Sequence, residues 1–235
     1  GLDQTIWSPM LGDLTGYSTL TYDLLGHGET TSPLSAQSFE PFVGQLHSLL
    51  DVTGISDFVL VGFSLGGQVA KHFASMYPDR IKGLVLISTT YQRTTVQRSN
   101  MASRVRQAKH GYQPSLETAA LQRWFNPDFL AANPDVATYI IGRLRNNDPA
   151  RFIESYELLS KAEDHSVEYA ALAMPALIMT GDGDEGSTPL MAIEMAQAMP
   201  NARAEIIHGA KHIGIIELHH RFSDVLISFV NESVI

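Results

Sequence analysis

Residues 59–67 read VLVGFSLGG, an apolar β-branched run that passes through a glycine-rich turn into a helical pattern. No other stretch limits the possible folds as much. A Val-Leu-Val strand with no polar face must be covered on both sides, which implies a parallel sheet between helices. Gly62-Phe63-Ser64-Leu65-Gly66 fits G-x-S-x-G, the strand-to-helix elbow that pushes a serine clear of a sheet. Gly62 and Gly66 are expected to remove side chains that would clash in so sharp a turn, and Gly67 to permit close strand–helix contact.

The flanking sequence repeats the strand–helix rhythm. Ser18–Asp23 (STLTYD) reads as a strand ending at the turn Leu25-Gly26-His27-Gly28. Phe39, Phe42, Val43, Leu46, Leu49 and Leu50 recur at helical spacing. Asp57–Phe63, Ile81–Ser88, Ala176–Thr180 and Ala204–His208 read as further strands, with helices over 66–76, 189–199 and 217–230. From Tyr91 to Leu172 no strand pattern appears. Helical stretches there open at Gln113-Pro114, Asn133-Pro134 and Asp148-Pro149, since proline is tolerated in a first turn. The expected fold class is α/β, a mostly parallel sheet with helices on both faces, interrupted by a helical insert. Residues 1–90 and 173–235 form the two parts of the core, and 91–172 the insert.

Composition narrows the function. A net charge of −9 over 235 residues argues against nucleic acid or an anionic membrane as the main partner, because both need basic patches. With no cysteine, disulfides, thiolate metal sites and a cysteine nucleophile are excluded, which fits a reducing cytoplasm. No run has the apolar length of a membrane-spanning helix, and no basic-then-apolar signal segment opens the sequence. The histidines are scattered in no spacing that defines a metal site. His219 and His220 are adjacent, so on a helix they point about 100° apart, and they read as exposed surface.

If Ser64 is a nucleophile it needs a base, and His212 in HGAKHIG follows the last strand, where a base is needed. His208 sits at the strand end, where packing is expected instead, and His27 is expected to brace its turn. An acid must orient the histidine. The loop TGDGDEGSTP offers Asp182, Asp184 and Glu185. Asp182 directly follows the strand and suits a turn-shaping role, while Asp184 lies far enough along to reach His212. The Leu65 backbone amide, at the head of the next helix, is placed to bond a developing oxyanion.

Trp7, YDLLGHGET (22–30), GFSLGG (62–67), GDGDEGSTP and GAKH, in that order, resemble the α/β-hydrolase superfamily over nearly the whole chain. In that family the acid is usually the aspartate three residues after the loop glycine, which from Gly181 is Asp184. The insert, with LQRWFNPDF and NNDPARFIESYELL, is similar to the cap of 3-oxoadipate enol-lactonases. That resemblance implies a cap with Trp124 over the substrate pocket, and hydrolysis of a small-molecule ester or lactone by Ser64, His212 and Asp184 with no metal or organic cofactor. A carbon–carbon bond hydrolase of diketones would use the same residues, and a non-catalytic receptor could keep the fold. Haloalkane dehalogenase and epoxide hydrolase chemistry needs an aspartate where Ser64 stands.

Family members normally begin with further strands, one of which pairs between the counterparts of STLTYD and DFVLVGF. They also carry a His-Gly segment that supplies a second oxyanion amide, which aligns just before Gly1. The resemblance therefore leads us to expect that these residues are part of a longer chain, or that a separate segment fills the gap.

Overall fold

The apolar runs become four parallel strands, β1 (Phe58–Phe63), β2 (Ile81–Ile87), β3 (Ala176–Gly181) and β4 (Ala202–Ile207), hydrogen-bonded in that order. This is a computed structural model that describes residues 1–30, 38–110, 114–165 and 167–233. In chain order the helices are α1 (Ser8–Asp13), α2 (Glu40–Thr53), α3 (Leu65–Met76), α4 (Thr95–Lys109), α5 (Pro114–Trp124) and α6 (Pro127–Ala132). There follow α7 (Pro134–Arg145), α8 (Pro149–Ser160), α9 (Pro189–Gln197), α10 (Gly214–Glu217) and α11 (His219–Ser233).

Side chains alternate across a strand, so each central strand feeds two cores. Leu84 and Leu86 of β2, with Ala176 and Ile178 of β3, join Leu46 of α2, Phe73 of α3 and Met195 of α9. Val85, Ile87, Leu177 and Met179 face the other way, against Met10 of α1 and Phe222, Leu226 and Phe229 of α11. Leu84 through Ile87 are fully buried. Each such side chain is worth roughly 1.5–3 kcal/mol, so β2 and β3 anchor the sheet.

Ser18–Asp23 departs from the sequence reading. It forms no strand among the described residues, and the outer edge of β1 carries no ladder partner there. An apolar–polar alternation becomes a strand only where a neighbour takes its N–H and C=O groups.

Between β2 and β3 the chain is helical, from α4 to α8. Thr94 caps α4 in a reciprocal box with Gln97, and Asp148 caps α8 by accepting from the Ala150 and Arg151 amides. The proline starts at 134 and 149 open α7 and α8, whereas Gln113 lies outside the described residues. Arg93 joins the two ends of this segment. It is buried, pairs with Glu163 at 3.1 Å and donates to the Leu159 carbonyl at 2.6 Å. Among the described residues no helix is long and apolar enough to cross a membrane.

Candidate active site

Ser64 sits between β1 and α3 with φ 52° and ψ −111°, a left-handed conformation rare outside glycine. Such a residue carries about 1–3 kcal/mol of strain, which the surrounding structure must over-determine. Its amide donates to the Ile87 carbonyl at 2.9 Å, and its carbonyl accepts from Gly67 and Gln68 at 3.1 and 3.2 Å. A Cβ on Gly62 would lie 2.5 Å from the Gly66 carbonyl oxygen and 2.7 Å from the Gly67 Cα. A Cβ on Gly67 would overlap the Thr89 hydroxyl, whereas Gly66 faces open space. Close packing of strand and helix therefore rests on Gly62 and Gly67, not on Gly66 as the motif suggests.

The loops after β3 and β4 bring two more residues to this turn. His212 Nε2 lies 3.2 Å from Ser64 Oγ, and its Nδ1 lies 2.8 Å from Asp184 Oδ2. An ionised carboxylate only accepts, so the ring proton belongs on Nδ1 and the Nε2 lone pair faces the serine. Asp184 is 3% exposed, and its Oδ1 accepts from the Gly186 and Ser187 amides, each at 2.9 Å. Burial pushes this carboxyl's pKa up, but His212 and the two amides outweigh it and leave it below the ordinary aspartate value. The Leu65 amide opens α3, where an N–H has no carbonyl within its own helix to bond.

The other sequence candidates lie elsewhere. Asp182 accepts from the Gly209 amide at 2.8 Å and pairs with His208 at 3.1 Å. His208 is not packed, as its place at a strand end suggests; its side chain is 81% exposed. β4 lies at the sheet edge, so the residue after it meets solvent. His27 is buried with Nδ1 3.0 Å from the Leu25 carbonyl, and burial drops its pKa to about 3. Glu185 lines the cavity beside Asp184. Trp124 ends α5 on the cavity wall, and its carbonyl accepts from the Ile213 amide at 3.0 Å, one residue from His212.

Ser64, His212 and Asp184 open into a cavity of about 1270 Å³. Small-molecule sites are usually about 300–1,000 Å³. The cavity's lining extends from Ser64 along β1 to Tyr22, Ile55 and Phe58. The cavity wall also carries two arginines beside Glu185, a feature that sequence spacing did not reveal. Arg104 of α4 and Arg123 of α5 both line it, and among the described residues neither forms an ion pair with a carboxylate. Burial lowers the Arg123 pKa, and the neighbouring Arg104 charge lowers it further, against the opposing influence of Tyr156 and Glu185. Two half-buried guanidinium groups that repel one another gain most from a shared anion. Of the adjacent pair expected on the helix surface, His220 is exposed and His219 half-buried, yet both imidazoles converge on Asp13 of α1.

Residues 4–217 match the family model for the alpha/beta hydrolase fold, and the chain belongs to that family. It is an enzyme of that class. It is 24% identical over 217 residues to the (E)-2-((N-methylformamido)methylene)succinate hydrolase of Acinetobacter baylyi, covering 91% of this chain and 80% of that one. It is 23% identical to 3-oxoadipate enol-lactonase 2 of the same species, covering 95% and 82%. Among solved structures, the enol-lactonase from Burkholderia xenovorans superposes with a TM-score of 0.84 at 27% identity, over 98% of this chain and 88% of that one.

Proposed function

We propose that this enzyme cleaves a small carboxylic ester or lactone that carries a further, free carboxylate, through an acyl-enzyme on Ser64. The observation that carries the reading is the unbroken hydrogen-bonded line from Asp184 through His212 to Ser64. His212 Nε2 takes the Ser64 proton as Oγ attacks the carbonyl carbon, and the Leu65 amide bonds the developing oxyanion. Asp184 holds the ring tautomer and stabilises the imidazolium. His212 then returns the proton to the leaving oxygen; in a lactone that oxygen stays on the acyl chain. Water, deprotonated by His212, finally releases the acid and restores Ser64.

Residues 91–172 act as a cap over this site, with Trp124 on the pocket wall. Arg104 and Arg123 support an anionic substrate, and both curated relatives are named for substrates with carboxylate groups. The test is hydrolysis of p-nitrophenyl acetate and of a lactone acid beside its methyl ester. Ser64→Ala should lower kcat by about 10⁴-fold or more on both substrate types and abolish labelling by a fluorophosphonate. Near-full activity in that variant would sink the serine mechanism. Arg123→Met and Arg104→Met should raise KM for the lactone acid about tenfold and leave the methyl ester unchanged. Equal losses on acid and ester would sink the carboxylate subsite alone.

A further inference from the structure

Asp13, His219 and His220 stand apart from this chemistry, and none of them lines the Ser64 cavity. Asp13 ends α1, and the two histidines begin α11. His219 Nδ1 lies 2.9 Å from Asp13 Oδ2, and His220 Nδ1 lies 2.8 Å from Asp13 Oδ1. The two ring centroids are 3.8 Å apart, and one ligating atom from each of the three residues falls within 4.8 Å of the others. Side-chain exposures of 16% for Asp13, 28% for His219 and 75% for His220 leave the cluster anchored on one side and open to solvent on the other.

An ordinary surface ion pair has one histidine for one carboxylate. Here two imidazoles crowd a single carboxylate, one on each of its oxygens, at the first turn of α11. A single divalent ion relieves this arrangement, because both nitrogens then face one cation as neutral ligands. We propose that Asp13, His219 and His220 bind a divalent transition-metal ion of the zinc type, which clasps α1 to α11. Two imidazole nitrogens with one carboxylate suit zinc and its neighbours and disfavour magnesium or calcium, which prefer all-oxygen sites. With metal–ligand distances of about 2.0–2.2 Å, tetrahedral ligand atoms stand about 3.3–3.6 Å apart, a spacing that three atoms all within 4.8 Å of one another can reach by side-chain rotation. Each neutral ring moves its proton from Nδ1 to Nε2, so no net proton is released, and water completes the coordination.

The probe is Zn²⁺, titrated calorimetrically into the whole chain, with Mg²⁺ as the control. The expected result is one Zn²⁺ per chain, no Mg²⁺ heat, and a rise in Tm with Zn²⁺. His220→Gln, at the exposed end of the cluster, should fold normally and lose at least about tenfold in affinity together with the Tm rise. Asp13→Asn and His219→Gln should do the same, and p-nitrophenyl acetate hydrolysis by His220→Gln should equal the parent's. Stoichiometric zinc binding that survives both His220→Gln and Asp13→Asn would place the ion elsewhere and overturn the proposal. Failure of the parent to bind stoichiometrically would overturn it as well.

Discussion

Two histidine–aspartate pairs span the same two loops, and they differ in almost everything but distance. Asp184 meets His212 at 2.8 Å, and Asp182 meets His208 at 3.1 Å. The aspartate side chains are 1% and 42% exposed, and the histidines 17% and 81%. In the exposed pair, water and salt screen the attraction, and such pairs contribute about 0–1 kcal/mol. In the buried pair the same charges act through a lower effective dielectric, and two backbone amides hold the carboxylate in place. The far nitrogen of His212 also has Ser64 before it. Proximity of an acid to a base thus says little, and burial with a third partner in line says much.

The largest effect should come from removing the charge of the inner pair. In Asp184→Asn the new amide can donate to the ring and favour the tautomer that has its proton on Nε2, facing Ser64. We expect kcat on a p-nitrophenyl ester to fall by about 10³–10⁴-fold with KM little changed. A loss below about tenfold would erase the distinction between the pairs as far as chemistry is concerned. Steady-state kinetics on folded protein, checked by circular dichroism, decides this.

Acid unfolding sharpens the contrast with a smaller effect. His27 and His72 are held neutral by burial, with pKa values lowered from 6.5 to about 3 and about 4. The unfolded chain therefore binds more protons than the folded one below 6.5, and stability falls as the pH drops from there towards 4. Asp184 adds a later loss. Its folded pKa lies below the ordinary aspartate value of 3.8, so its contribution is complete above that value and disappears as the pH falls through the folded one. In urea titrations across this range, His27→Gln should flatten the upper window, and Asp184→Asn the lower. Asp182→Asn should flatten the lower window much less, because its carboxylate is half exposed and screened. Equal flattening by the two aspartate variants would mean that burial does not separate the pairs.

How much of this was readable beforehand follows the range of the interactions. The runs that became β1 to β4 were legible because their side-chain pattern is local and both faces are apolar. Ser64, His212 and Asp184 could be named from loop position and motif order. Their mutual distances could not, since 28 residues separate Asp184 from His212 and 148 separate Ser64 from His212. STLTYD was misread because its alternation is local but strand formation depends on a neighbour. The open space at Gly66 and the exposure of His208 depend on what packs nearby, which no spacing encodes. Arg104 and Arg123 look like ordinary surface charges until α4 and α5 turn them towards one cavity. Asp13 and His219 are 206 positions apart, so only the docking of α1 on α11 makes them neighbours.

The smallest expected effect is the most demanding test of the comparison. In Asp182→Asn the side chain keeps its shape, and its amide oxygen can still accept the Gly209 amide bond that shapes the turn. What disappears is the charge facing His208, in a pair that solvent already weakens. In His208→Gln the carboxylate stays and the exposed ring goes. Each variant should therefore keep activity within about twofold of the parent and lose no more than about 1 kcal/mol of stability. The double variant should cost no more than the sum of the two, because an exposed pair has little coupling to lose. A large activity loss in either single variant would show that the β4 loop transmits the outer pair's charge to His212, only four residues further on. The two pairs would then have to be treated as one network rather than as a working pair beside a bystander.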